Sequence, residues 1–412
     1  MSKRYALDWH AGPTAQLELL NAGGDRAEER FNLRYTPPFR ATLRQPFEPA
    51  PIRRTTLEKV ANDLAEAFTT GTVQRSGDPV GGPSALGPAT LRIVGERLFA
   101  CAVVPRHIRA ELRANDVFLE LGIDEGLVHL PWELMHDGSD FLCNRHSMGR
   151  YVNVRQKPVS AIQREPLQPG ADLGELRVLL ISVPSPQPRR EGTTFEPLRY
   201  VQAETEAIMT TLGQLPGVRM TLLAGRDARI DQVWDALNSE PAHHIVHFSG
   251  HAHFDTAHPS NSGLVLYDAD LTAEEIVSTF GRRPPVVCFI NGCESAMTAD
   301  HTADSDLYGL AWAFLETGSY LVGSRWKVSD TVASDFAVAF YESLLGNGDA
   351  LGHAVTAGRR AAFNTTDFGW ASYILYGDPR IAFTSQRHRL PARRRGRARA
   401  AARRSPGALG AD

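Results

Sequence analysis

Cysteine is scarce: Cys101, Cys143, Cys288 and Cys293 are scattered over 412 residues. A disulfide-stapled fold uses more cysteines at closer spacing, so the pattern predicts a chain of a reducing compartment, the cytoplasm. No apolar run approaches the roughly 20 residues that cross a bilayer. The opening stretch MSKRYALDWH also lacks an apolar run of signal-peptide length. Neither sign of charge dominates, since 44 Lys and Arg against 47 Asp and Glu leave a net −3. Apolar residues at 42% and charged residues at 22% exclude a disordered chain, a collagen-like fibre and a coiled coil.

The small net charge conceals an asymmetry. The stretch 386–412 holds nine Arg and one Asp, a net +8, so the remainder carries −11. An acidic body is unsuited to gripping phosphate backbones over a wide face. The basic stretch has no apolar face and is expected to be a disordered, solvated tail, with nucleic acid or acidic lipid as its conceivable partners.

Four regions are expected. Residues 1–154 read as a smaller α/β region, regulatory or a degenerate copy of the domain that follows. Residues 155–173 read as a linker, 174–385 as the main α/β domain and 386–412 as the tail. In the first region RYALDWH and AQLELLN are strand-like, Thr56–Phe68 has the pattern of an amphipathic helix, and the Gly, Pro and Ser of 70–89 predict a loop. From Leu176 onward buried strands (LRVLLISV, HIVHF, VVCFI) alternate with helical segments. That alternation predicts βαβ units and a mainly parallel sheet flanked by helices. Thr272 and Glu275 have the spacing of a capping box before one helix.

In such sheets the chemistry lies beyond the carboxyl ends of the strands. HIVHF runs into Ser249-Gly250-His251-Ala252-His253, and VVCFI runs into Asn291-Gly292-Cys293-Glu294-Ser295. Each places a reactive side chain three residues past a buried strand and next to a glycine. If the two strands are neighbours, His251 and Cys293 meet at the rim as a Cys-His dyad. The imidazole would take the thiol proton and later protonate the leaving amine. The N–H groups of Ala252 and Cys293 would stabilise the oxyanion. Gly250 and Gly292 would allow a sharp turn and close approach of substrate. Cys288, inside the strand, is expected to be core.

These segments resemble the CHAT domain, a branch of the caspase-like and separase-like cysteine peptidases. The resemblance is carried by VHFSGHAHF at 246–254, PPVVCFINGCESA at 284–296, LAWAFLETGSYLVGSRWKVSD at 310–330, FYESLL at 340–345 and YGDP at 376–379, with LPWELMHDG upstream. It implies a caspase-like fold built on a six-stranded sheet, with His251 as general base and Cys293 as nucleophile. It further implies a protein or peptide substrate, a regulatory protein partner, no metal or organic cofactor, and a place in bacterial signalling or antiviral defence. Ala252 stands where the family often has glycine, which keeps the N–H. Asn291-Gly292 stands where Ser-Ala is common, and the caspase pattern QACRG is absent, which argues against Asp-specific cleavage. By the same resemblance Asp330, at a strand end with Trp326, would receive a basic substrate side chain; Glu294 and Asp306 are further acidic candidates. Asp330 equally fits the N-cap of the next helix.

Two other readings compete. His251, His253 and Asp255 form HxHxD, the opening of a dinuclear zinc hydrolase site, without its closing histidine because position 256 is Thr. A caspase-like scaffold that binds without cutting is the other.

Overall fold

The computed structural model describes residues 3–23, 30–38, 48–53, 55, 59, 88–103, 105–114, 116–128, 130–153, 165–189, 193–198, 201–255, 258–280, 283–292, 309–325, 328–363 and 368–385. All of the predicted helix at 56–68 except residue 59, most of the loop at 70–89, part of the linker and the basic tail lie outside these residues.

The strands are β1 (Tyr5–Trp9), β2 (Thr14–Gly23), β3 (Arg30–Thr36), β4 (Glu48–Arg53), β5 (Phe118–Asp124), β6 (Ser147–Asn153), β7 (Asp172–Gly174), β8 (Leu176–Ser182) and β9 (Val218–Ala224). They continue with β10 (Ile245–Ser249), β11 (Ala252–His253), β12 (Gly263–Val265), β13 (Asp270–Thr272), β14 (Val287–Asn291), β15 (Tyr320–Ser324), β16 (Tyr373–Tyr376) and β17 (Ile381–Ser385). The main helices are α1 (Pro88–Ala102), α2 (Arg106–Ala114), α3 (Val201–Gly213), α4 (Ile230–Leu237), α5 (Ala273–Thr279), α6 (Leu310–Thr317), α7 (Asp330–Tyr341) and α8 (Leu351–Ala361).

One sheet of eleven strands has the order β4-β3-β2-β5-β6-β16-β15-β14-β10-β8-β9. Its six strands from β16 to β9 are the expected mainly parallel sheet, with β16 alone antiparallel to its neighbour β15. The remaining five, from the first 153 residues, extend that sheet without a break, because β6 pairs parallel with β16. The regions expected at 1–154 and 174–385 thus share one sheet. They also share a small one, in which β1 lies between β17 and β7.

The chain runs outward from β8 to β9, then returns to β10 and proceeds the other way through β14 to β15. Right-handed crossovers therefore put α3 on one face and α5 and α6 on the other. The core agrees. His247 and Phe289 stack on the α3 and α7 side, with ring centroids 4.8 Å apart, while Phe280 and Phe314 meet beneath α5 and α6. The reversal of strand order falls between β8 and β10, where open α/β sheets bind ligands.

Local signals explain the elements. β10 and β14 are apolar because both faces are covered, and every residue of β10 is buried. Thr272 Oγ1 accepts from the Glu275 N–H and Glu275 returns the bond to the Thr272 N–H, completing the predicted capping box. The expected helix over 331–345 is α7 followed by a π-helical turn, Glu342–Asn347.

LPWELMHDG proves structural. Glu133, in a 3-10 turn, forms a buried bidentate pair with Arg150 of β6, whose guanidinium also donates to the carbonyls of Val128 and Leu130. Asp137 accepts from the N–H groups of Ser139 and Asp140, which closes the expected turn at Gly138 with φ +99°.

Candidate active site

The carboxyl edge of the sheet ends in a polar row. Ser182, Ser249 and Asn291 stand in register at the ends of β8, β10 and β14. Ser324 and Tyr373 pair across β15 and β16 and continue the row. The two strands expected to carry the dyad are therefore adjacent and parallel, with Ser249 opposite Asn291.

His251 follows at once. Its Nε2 lies 2.7 Å from the Glu196 carbonyl oxygen. A carbonyl can only accept, so Nε2 carries the proton and Nδ1 of the neutral ring keeps the lone pair. Phe195 lies against the same imidazole at 5.6 Å between ring centroids. Both residues belong to a strap between β8 and α3, and Arg189 fastens it. The Arg189 guanidinium stacks on the Phe195 ring at 5.1 Å, pairs with Asp270 at 2.6 Å and donates to the carbonyls of Leu266 and Ala269.

Beyond His251 the chain joins the small antiparallel sheet β11-β12-β13. The Val265 N–H donates to the His251 carbonyl, which makes Ala252 and Leu264 a non-hydrogen-bonded pair. The Ala252 N–H therefore turns away from β12. It lies toward Gly292, its nitrogen 3.4 Å from where a Gly292 Cβ would stand.

Gly292 is held on both sides. Ser324 Oγ donates to its carbonyl at 2.7 Å, and the Gly250 N–H donates to the Asn291 carbonyl at 3.3 Å. Neither Gly250 nor Gly292 adopts left-handed backbone, and each supplies space. A Cβ on Gly250 would meet the Phe248 ring at 2.8 Å, and one on Gly292 would meet the Ala252 Cβ at 2.9 Å. Cys293, Glu294, Asp306 and Trp326 lie outside the described residues. Asp330 opens α7, but the N-cap is Ser329, with extended φ −72° and ψ 150°, so the alternative N-cap role of Asp330 is corrected.

The described thiols are unsuited to catalysis. Burial pushes Cys143 up to about 12 and raises Cys288 and Cys101 as well. Cys288 is fully buried, as expected of core.

Sequence reasoning missed the polar group below the strand ends. Glu204 of α3 accepts at Oε1 from Ser249 Oγ (2.9 Å) and from Asn291 Nδ2 (2.7 Å), with His247 Nε2 at 3.2 Å. The Tyr373 hydroxyl donates to Asn291 Oδ1 at 2.8 Å, and the Tyr341 hydroxyl lies 3.1 Å from His247 Nδ1. Burial, with Glu204 close by, raises the Tyr341 phenol well above its ordinary value and keeps it a donor.

The HxHxD residues do not converge. His251 turns to the Glu196 carbonyl, His253 to the Asn261 carbonyl at 2.9 Å, and Asp255 accepts from the His258 N–H. Among the described residues no group of three or more His, Cys, Asp or Glu side chains is placed to hold a metal ion. Among them, too, no helix is long and apolar enough to cross a membrane.

Among solved structures the chain is similar to separase in the Saccharomyces cerevisiae separase–securin complex. The TM-score is 0.47 and the identity 11%, over 89% of this chain and 30% of that one. It is similar also to the Arg-specific cysteine proteinase gingipain R (TM-score 0.44, 10% identity, 81% and 77% covered). A third likeness is to the complex of the pro- and mature domains of the Porphyromonas gingivalis proteinase RgpB (TM-score 0.42, 11% identity, 81% and 78% covered). The chain thus spans about a third of the separase it matches. No curated protein matches it. The CHAT domain model matches residues 92–378, well over half of the chain and including both β10 and β14 with the residues that follow them, and the chain belongs to the CHAT domain family.

Proposed function

We propose that the chain is a cysteine endopeptidase whose dyad is His251 and Cys293. The observation that carries this reading is the register of β10 and β14: Ser249 faces Asn291, and each stands two residues before a member of the dyad. Gly292, which covalently precedes Cys293, packs against Ala252, which follows His251.

In this reading the Glu196 carbonyl holds His251 Nε2–H, so that Nδ1 faces the thiol and takes its proton. The thiolate attacks a peptide carbonyl. The N–H groups of Ala252 and Cys293 receive the oxyanion. The C–N bond then breaks, His251 gives its proton to the leaving amine, and the acyl group stays on sulfur. His251 next deprotonates a water that attacks the thioester, releasing the acid and the thiol. No cofactor takes part. Asp330, with Trp326 and Glu294, is proposed to line the substrate pocket.

Free proteolysis inside a cell is harmful, so a regulatory protein partner is part of the proposal. The separase–securin complex and the complex of pro- and mature domains support it as precedents in similar structures. A cytoplasmic site of action and a role in bacterial signalling or antiviral defence belong to the same proposal. A peptide-library cleavage assay tests the core of it. Cleavage abolished by Cys293→Ala and by His251→Ala, and indifferent to a chelator, is the expected result. Cleavage that survives both variants overturns the dyad. Cleavage that stops with the chelator alone restores the zinc reading, and a wild-type chain that cuts nothing favours the scaffold.

A further inference from the structure

We infer that Glu204 is a positioning residue that sets the spacing between His251 and Cys293; the inference rests on the peptidase reading above. A single oxygen, Glu204 Oε1, accepts from Ser249 Oγ at 2.9 Å and from Asn291 Nδ2 at 2.7 Å. These two donors are register partners on neighbouring strands. Each precedes a dyad member by two residues, so one atom ties down both segments that carry the chemistry.

The orientation of the contact is fixed. The Tyr373 hydroxyl donates to Asn291 Oδ1, so the amide nitrogen must face Glu204. The Tyr341 hydroxyl holds His247 Nδ1, so His247 Nε2–H is shared between Ser249 Oγ at 2.9 Å and Glu204 Oε1 at 3.2 Å. Glu204 is 4% exposed and sits in the first turn of α3. A carboxylate is costly to bury, and helix-to-sheet packing alone is better served by an apolar side chain. Three donors from two strands, converging on one oxygen beneath the site, suit a device that holds a distance. Misplacing reacting groups by about 1 Å can cost on the order of a hundredfold in rate, so such a device has a measurable consequence.

The test needs no knowledge of the substrate. The rate at which iodoacetamide alkylates Cys293 in the full chain is measured against pH by peptide mass spectrometry, because only the thiolate reacts. Wild type is expected to react well below the ordinary thiol range near about 8.5, and His251→Ala to lose that advantage. Glu204→Leu is expected to cut the rate at neutral pH roughly tenfold and to move the midpoint upward by about one pH unit, the shift that a tenfold loss of thiolate implies. Glu204→Gln, which keeps an acceptor oxygen in place, is expected to stay within about threefold of wild type. Alkylation of Cys101 serves as the internal control.

A role limited to stability would lower the melting temperature and leave the midpoint alone. If Glu204→Leu folds by circular dichroism and titrates like wild type while His251→Ala does not, the inference about Glu204 falls and the dyad stands. If wild type and His251→Ala titrate alike, the dyad itself falls and the inference with it. If Glu204→Leu does not fold, Ser249→Ala decides. An upward shift of its midpoint supports the inference, and coincidence with wild type overturns it.

Discussion

Gly292 presses on Ala252 so closely that an added methyl would stand 2.9 Å from the Ala252 Cβ and 3.2 Å from the Gly250 carbonyl oxygen. Neither neighbour is the tip of a flexible chain, so the strain of a larger residue must be taken up by backbone. Overpacking of this kind costs about 1–3 kcal/mol. Here the displaced backbone is that of the two loops at the proposed dyad. Gly292→Ala is expected to fold with a melting temperature lowered by a few degrees and to lose at least about tenfold in peptide cleavage. A variant of wild-type activity would show that the close approach of these loops is not used.

Much of this arrangement is legible from residues alone. β10 and β14 announce themselves as short apolar runs because both faces of each are covered, and the proposed dyad stands in the residues after them. Two of the strands that escaped have remote partners. β17 (IAFTS) lies on β1, at the other end of the chain, and β6 (SMGRYVN) is made a strand by β5 and β16 on either side. Glu204 escaped because a glutamate in an amphipathic helix reads as solvent-facing. The signal was nevertheless present. Val201, Glu204, Ile208 and Leu212 follow helical spacing, which puts the carboxylate on the buried stripe. The reason for Gly292 could not be read, since it depends on Ala252 approaching from another loop.

Arg189 is expected to matter through the strap it fastens. Its guanidinium is shared among Asp270, the carbonyls of Leu266 and Ala269 and the Phe195 face, and Glu196 of the same strap holds His251. Arg189→Ala should leave the global fold intact, because the strap is a surface segment. Cleavage activity should drop by roughly tenfold or more, and limited proteolysis within 184–198 should accelerate. Arg189→Lys should not restore activity, since an ammonium cannot reproduce the planar fork. Unchanged activity in Arg189→Ala would mean that the Glu196 carbonyl holds the imidazole unaided.

Glu133 and Arg150 make a different kind of prediction, for stability without chemistry. Both are buried, and the pair neutralises a guanidinium that also serves two carbonyls. Removing one partner of such a pair leaves a charge uncompensated and costs about 3–5 kcal/mol. Glu133→Gln should therefore lower the denaturant midpoint markedly. Cys293 alkylation in the surviving folded fraction should be unchanged. A midpoint within error of wild type would show that the pair contributes nothing net.

Two buried histidines are expected to contribute most to the acid limb of stability, ahead of His136, His243 and His353, which burial lowers as well. Burial lowers His146 to about 4; burial and then the charge of Arg177 lower His244 to about 3. The Arg177 N–H donates to His244 Nδ1 and its guanidinium lies 2.9 Å from Nε2, so a proton there meets positive charge. In the unfolded chain each would titrate near about 6.5. Between that value and the folded one the unfolded state binds more protons, so stability is fully present above about pH 6.5 and is lost as pH falls. By pH 5 the loss is of order 1–2 kcal/mol for each histidine. In this window carboxylates with lowered values, Glu133 and Asp137 among them, are still ionised and add little slope. Melting temperatures between pH 7 and pH 5 should therefore decline, and the double variant His146→Gln, His244→Gln should flatten that decline. A decline equally steep in the double variant would assign it to other groups.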